Sequence, residues 1–174
     1  VEGQTFNRPQ ASGGKGGSMT LADLDAYQAA IRAPIEGSYR GYKIKAMAPP
    51  SSGALTVIQI LRMLERFPLG DAAASYGFGS TRTLTVMADA MRVAFSDRAD
   101  WMADADFVPV PSKGLIASGY LAVRDNALTP GVRLTPDPLP GDPRSFQTAG
   151  LEAAQAVARA APVTGPENGT THFS

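Results

Sequence analysis

A chain of 174 residues with a 44% hydrophobic share is long enough, and apolar enough, to build one ordinary core. Lys plus Arg equals Asp plus Glu at 16 each, with no basic run, which excludes the electrostatic footprint of a nucleic-acid binder. Cys is absent, which excludes disulfides, thiolate metal sites and a Cys nucleophile, and no apolar run reaches the length of a membrane span. The charged share, 18%, is below the usual quarter and points to surface covered by other protein.

Residues 1–18 are polar and Gly-rich and read as a flexible lead-in. With Val at position 1 and no basic-then-apolar leader, the chain reads as a piece of a longer one. Thr20 followed by Asp23 is a capping-box pattern. Leu21, Leu24, Tyr27 and Ala30 or Ile31 then predict a helix that Pro34 stops. In "IEGSYRGYKIKAMAPP", Tyr39, Tyr42, Ile44 and Met47 alternate with polar residues and predict one or two short strands. Gly37 and Gly41 are expected as turns or bulges. After Pro49 and Pro50, "SSGALTVIQILRMLERF" predicts a deeply buried helix capped by Ser51 or Ser52, with Ile58, Leu61, Met63, Leu64 and Phe67 apolar.

A longer helix is predicted from Thr81 to Met102. Its apolar stripe is expected at Leu84, Met87, Ala88, Met91, Phe95 and Trp101 or Met102, with Arg82, Asp89, Arg92 and Asp100 off it. "KGLIASGYLAVRDNAL" predicts a shorter helix. The prolines at 130, 136, 138, 140 and 143 predict a stiff, extended, exposed segment. "TAGLEAAQAVARAA" would form a weak Ala-rich helix or stay disordered, followed by Gly/Pro coil. The organisation expected is therefore a lead-in over 1–18, a helical core with a short hairpin over 19–128, a Pro/Gly/Ala-rich tail over 129–169, and the start of something new at 170–174.

The end, "GPENGTTHFS", is chemically odd for a coil. A Thr hydroxyl is a poor nucleophile unless a base is close, and a free α-amine on the same residue can be that base. Such an amine exists only if the chain is cut just before the Thr. Gly169 before Thr170 would leave the carbonyl uncrowded for the hydroxyl to attack. By residues alone, a Thr pair after a Gly is as readily loop or strand. His172, the lone histidine, could serve a Ser/His/Asp arrangement, but no acid is placed for it by spacing. "PPSSGA" reads as a helix cap before it reads as an anion site. "YGFGS" lacks the preceding strand of a dinucleotide turn. "SDRADWMADADF" lacks the Gly and Glu of a calcium loop, so Asp97 with Arg98 and Asp100 with Asp104 are expected to order a helix end and loop. No metal is expected.

Taken in order, "YRGY", "PPSSG", "SDRADWMADADFVPVP" and "GTTHFS" resemble the γ-glutamyltranspeptidase family, which includes related cephalosporin acylases, over roughly residues 19–174. The resemblance implies a mostly helical α/β (α+β) fragment of the stacked αββα fold of N-terminal nucleophile hydrolases. It implies one precursor that cuts itself into a large and a small subunit at Gly169–Thr170. Thr170 would be the nucleophile, Thr171 would help position it, and His172 would continue a strand. The implied substrates are γ-glutamyl compounds such as glutathione, with no cofactor, and the implied location is the periplasm or the exterior. The glutamyl-binding groups would lie outside this segment, so the segment alone is expected to be inactive and its junction uncut. Its partner would be the small subunit of the same precursor, and self-association is expected if that partner is missing. A glutaryl-type acylase and a non-catalytic helical interaction module are the alternatives.

Overall fold

The structure, a computed structural model, describes residues 19–147. They divide between two compact units, Val1–Arg32 and Ala33–Ser174. The Ala-rich segment and the Gly169–Thr170 junction lie outside the described residues.

In the first unit, helix α1 spans Leu21–Ala26 and opens on the expected capping box. Thr20 Oγ1 accepts from the Asp23 amide at 3.2 Å, and Asp23 Oδ2 accepts from the Thr20 amide at 2.7 Å. The backbone bond from Thr20 is the main cause that holds the Asp23 carboxyl below its ordinary range. The helix is shorter than the apolar periodicity predicts. Tyr27 is already extended at φ −68° and ψ 127°, and no residue of α1 is buried. A short amphipathic helix without packing has little to sustain further turns.

The second unit opens with an antiparallel hairpin, β1 (Ile35–Tyr39) and β2 (Tyr42–Ala46), in register from Ile35 opposite Ala46 to Tyr39 opposite Tyr42. Arg40 (φ 46°) and Gly41 (φ 86°) are both left-handed, the two-residue turn that suits the twist of paired strands. Gly37, expected as a turn or bulge, is instead a regular strand residue opposite Ile44. It is glycine for a packing reason: a Cβ there would sit 2.9 Å from the Ile58 side chain. The Arg40 amide donates to Glu65 Oε1 at 2.7 Å and its guanidinium to the Phe67 carbonyl at 2.7 Å, which ties the hairpin tip to the chain leaving the next helix.

That helix, α2 (Gly53–Leu64), is deeply buried as expected, with Leu55, Ile58, Met63 and Leu64 nearly closed to solvent. Of the two serines, Ser51 supplies the end bond, accepting from the Gly53 amide at 3.3 Å. Ser52 Oγ accepts from Arg98 Nε at 2.9 Å instead.

Helix α3 (Thr81–Trp101) has the predicted length but only part of the predicted face. Ser80 Oγ caps it at the Thr83 amide, 3.3 Å away. Its buried residues are Thr83, Val86, Asp89, Ala90, Val93, Ala94 and Asp97. The expected stripe is split: Met87, Trp101 and Met102 pack partly against the core, while Leu84, Met91 and Phe95 are 56%, 43% and 55% exposed. Small side chains at 86, 90, 93 and 94 join Leu55, Met63, Leu64 and Phe67 of the α2 region in one core, together with Tyr120 and Leu121.

The single helix expected after residue 112 is two, α4 (Ser112–Leu115) and α5 (Ser118–Asp125), broken at an extended Ala117. Gly114 lies so close to the later chain that a Cβ would stand 2.2 Å from the Pro143 carbonyl oxygen. A short 3₁₀ turn at Arg144–Phe146 follows, with the Phe146 ring 5.6 Å from that of Tyr120.

Candidate functional site

The most organised polar arrangement lies on the inner side of α3. Asp89 and Asp97 are eight residues apart, and eight residues bring a helix back to nearly the same side. Each pairs with an arginine on a helix, Arg92 of α3 or Arg124 of α5, and accepts from one backbone amide of the Pro-rich strap over 129–143. Asp89 Oδ1 pairs with Arg92 Nη1 at 2.6 Å and Oδ2 accepts from the Leu134 amide at 2.7 Å. Arg92 also donates to the Leu134 carbonyl at 2.9 Å and pairs with Asp137. The Asp137 bond is the main cause that raises the Arg92 pKa.

Asp97 is fully enclosed and has more partners. Its Oδ1 accepts from the Gly141 amide at 2.9 Å and from Arg124 Nη2 at 2.8 Å. Its Oδ2 accepts from Gln59 Nε2 at 3.1 Å and Arg124 Nε at 3.2 Å. The same arginine donates to the Leu139 carbonyl at 2.9 Å, and Trp101 Nε1 donates to the Gly141 carbonyl at 2.7 Å. Burying a carboxylate is unfavourable unless donors replace the lost water, and here they do so on both oxygens. Burial first, and the nearby Asp97 second, pushes the Tyr120 hydroxyl above its ordinary range. Gly141 must lack a side chain, because a Cβ would fall 2.5 Å from that hydroxyl.

The strap is therefore largely exposed, as its composition suggests, yet bound along α3. Thr85 Oγ1 takes the Gly131 amide at 2.8 Å, Asp89 takes Leu134, and Asp97 takes Gly141. Prolines supply no amide donor, so the attachment is shared between these few amides and the strap carbonyls of Leu134, Leu139 and Gly141, which accept from Arg92, Arg124 and Trp101. The expected Asp97–Arg98 pair does not form. Asp97 reaches Arg124, and Arg98 lies over the Phe95 ring at 5.7 Å while bonding Ser52. Asp89 is polar and off the expected apolar stripe, yet it is buried, and Gln59 and Arg124 carry no signal in the sequence. The available signal was the spacing of Asp89 and Asp97, which share a face with Val86 and Val93. Asp89 and Asp97, 2% and 0% exposed, hold structure and present no reactive surface.

The remaining motifs resolve as structure. Ser80, the last residue of "YGFGS", caps α3 behind Gly79 in the left-handed region. Asp104 Oδ1 accepts from the Asp106 amide at 3.0 Å and orders the loop after α3. Pro50, Ser52, Arg98, Met102 and Asp104 line a shallow polar hollow where α2 begins. Among the described residues, no cluster of His, Cys, Asp and Glu is arranged to hold a metal. Gly169, Thr170, Thr171 and His172 lie outside the described residues.

The described residues form a mixed hairpin-and-helix segment, and the sequence after them ends in "GTTHFS". The family model described as gamma-glutamyltranspeptidase matches residues 7–174, and the chain belongs to that family. It is 35% identical over 159 residues to the glutathione hydrolase proenzyme of Bacillus subtilis (strain 168), covering 91% of this chain and 26% of that protein. It is 45% identical over 105 residues to the acylase ACY 1 proenzyme of Pseudomonas sp. (strain SE83), covering 60% of this chain and 18% of that one. Its structure is similar to that of Helicobacter pylori gamma-glutamyltranspeptidase, with a TM-score of 0.66 and 39% identity over 78% of this chain and 38% of that chain. The fold is accordingly a mostly helical α/β segment of the N-terminal nucleophile hydrolase fold. The chain spans about a quarter or less of the length of these curated relatives.

Proposed function

We propose that this chain is a segment of a self-processing γ-glutamyltransferase/glutathione hydrolase, with Gly169–Thr170 as the bond it cuts. The observation that carries the reading is the extent of the family match. It runs through Gly169, Thr170 and Thr171 to residue 174, and the similar B. subtilis protein is named a proenzyme. In the first step, Thr170 Oγ1 attacks the Gly169 carbonyl and the acyl group moves from nitrogen to oxygen. Water then hydrolyses the ester, which leaves a carboxylate on Gly169 and a free amine on Thr170.

In the second step, Thr170 Oγ1 attacks the γ-glutamyl carbonyl of glutathione or a similar amide. The new α-amine takes the hydroxyl proton and returns it to the leaving amine. The γ-glutamyl ester is resolved by water, giving glutamate, or by an acceptor amine, giving a new amide. Thr171 supports the position of Thr170. The small subunit is the partner in this reading, and the periplasm or the exterior is the location. The likeness to the acylase ACY 1 proenzyme favours a second reading, hydrolysis of a glutaryl-type amide by the same residues.

The test is Thr170→Ala in the full-length precursor. The expected outcome is one uncut polypeptide and a fall in γ-glutamyl-p-nitroanilide cleavage of about 10⁴-fold or more. Normal processing and activity would leave a helical interaction module as the better reading. Faster cleavage of glutaryl amides than of γ-glutamyl amides by the unmodified protein would favour the acylase.

A further inference from the structure

Helix α3 is apolar on two opposite sides. At 100° per residue, Leu84, Ala88, Met91 and Phe95 fall within about 60° of one another, and Val86, Asp89, Val93 and Asp97 lie on the far side. The far side is spent on the core and the strap. The near side exposes Leu84, Met91 and Phe95 by 56%, 43% and 55%, in a stripe about 17 Å long at 1.5 Å per residue. Single exposed apolar residues are ordinary, but three large ones along one side of a helix mark a contact surface. A helix with apolar residues on both sides suits the inside of a larger body.

The similar proteins are much longer than this chain. The chain spans 26% of the B. subtilis proenzyme, and its fold covers 38% of the H. pylori chain. We propose that the Leu84–Ala88–Met91–Phe95 stripe is a docking surface, covered in cis by an apolar face of the remaining part of the same proenzyme. A partner in cis suits a surface with so little charge along its centre. It is present at fixed stoichiometry and needs no long-range steering to find the stripe. This inference rests on family membership and on the two-sided helix. It does not depend on a cut at Gly169–Thr170.

The experiment uses the full-length proenzyme. This segment has no cysteine, so Met91→Cys places a thiol at the centre of the stripe once any cysteines elsewhere are replaced by Ser. Maleimide labelling of the folded protein is expected to be on the order of 100-fold slower than labelling of the same protein in urea. Leu84→Cys, one end of the stripe, should be protected in the same way and guards against a fold defect particular to position 91. Folded rates within about tenfold of the unfolded rate at both positions would overturn the proposal. So would protection that disappears when dimers are diluted to monomers, which would assign the stripe to a second copy. Labelling reports cover whether or not the junction is cut, so its outcome is separable from that of Thr170→Ala.

Discussion

The two sides of α3 have their chemistry in reversed places. On the inner side, two carboxylates sit among Val86, Ala90, Val93 and Ala94 and are almost wholly closed to water. On the outer side, Leu84, Met91 and Phe95 stand half in water. The difference shows that burial follows available partners more closely than it follows polarity. Asp97 finds an amide, a side-chain amide and a two-pronged guanidinium, which together replace its hydration. Phe95 has the Arg98 guanidinium above its ring and no place in the buried core.

The sharpest way to break the comparison is Asp97→Ala. Removing one member of a buried ionic network leaves Arg124 enclosed without its carboxylate, and about 3–5 kcal/mol of stability should be lost in urea unfolding. A loss below about 1 kcal/mol would mean that the carboxylate does not organise the inner side. The outer side should respond far less. Phe95→Ser in this 174-residue chain should shift stability by no more than about 0.5 kcal/mol, since the ring gives up little packing. A loss of several kcal/mol there would mean that the outer side is already packed.

The smallest effect concerns the far end of the strap. The side-chain bond from Arg144 draws the Asp142 carboxyl down from 3.8 to about 2. A depressed folded pKa means a contribution present above pH about 4 and lost as pH falls through about 2. Carboxyl titration by NMR should show this, and Arg144→Gln should move Asp142 back toward the ordinary range, with the backbone amide of residue 144 still holding it below.

What the sequence made legible was local. The Thr20–Asp23 capping box, the turn at Gly41 and the length of α3 all depend on residues a few positions apart, and all stand in the structure. What it hid was non-local. Asp89 looks like a surface residue until Leu134, 45 positions later, brings an amide to it. Gly37 looks like a turn until Ile58 claims the space above it. Of the apolar stripe expected on α3, Met87, Trp101 and Met102 pack against the core while Leu84, Met91 and Phe95 face out, because apolar size alone does not say which side meets α2. Small residues made the core instead, where α2 and α3 meet. Helix α1 ends at Ala26 rather than near Ile31, because a period of apolar residues sets a face without supplying anything to bury it. Family membership was legible from the order of the motifs, none of which is decisive alone. The roles of Gly169, Thr170 and Thr171 rest on that membership and await Thr170→Ala.

Asp97 has one more consequence. Its partners lie 38, 27 and 44 positions away, on α2, on α5 and in the strap. Each bond closes a long loop, so none can be made while the chain is still organised only locally. Once made, they cannot be released one at a time without penalty. Fraying at Gly141 would strip a donor from a charge with no water to replace it. An irregular, proline-rich segment of the kind that usually melts first is thereby made to share the cooperativity of the helices beneath it.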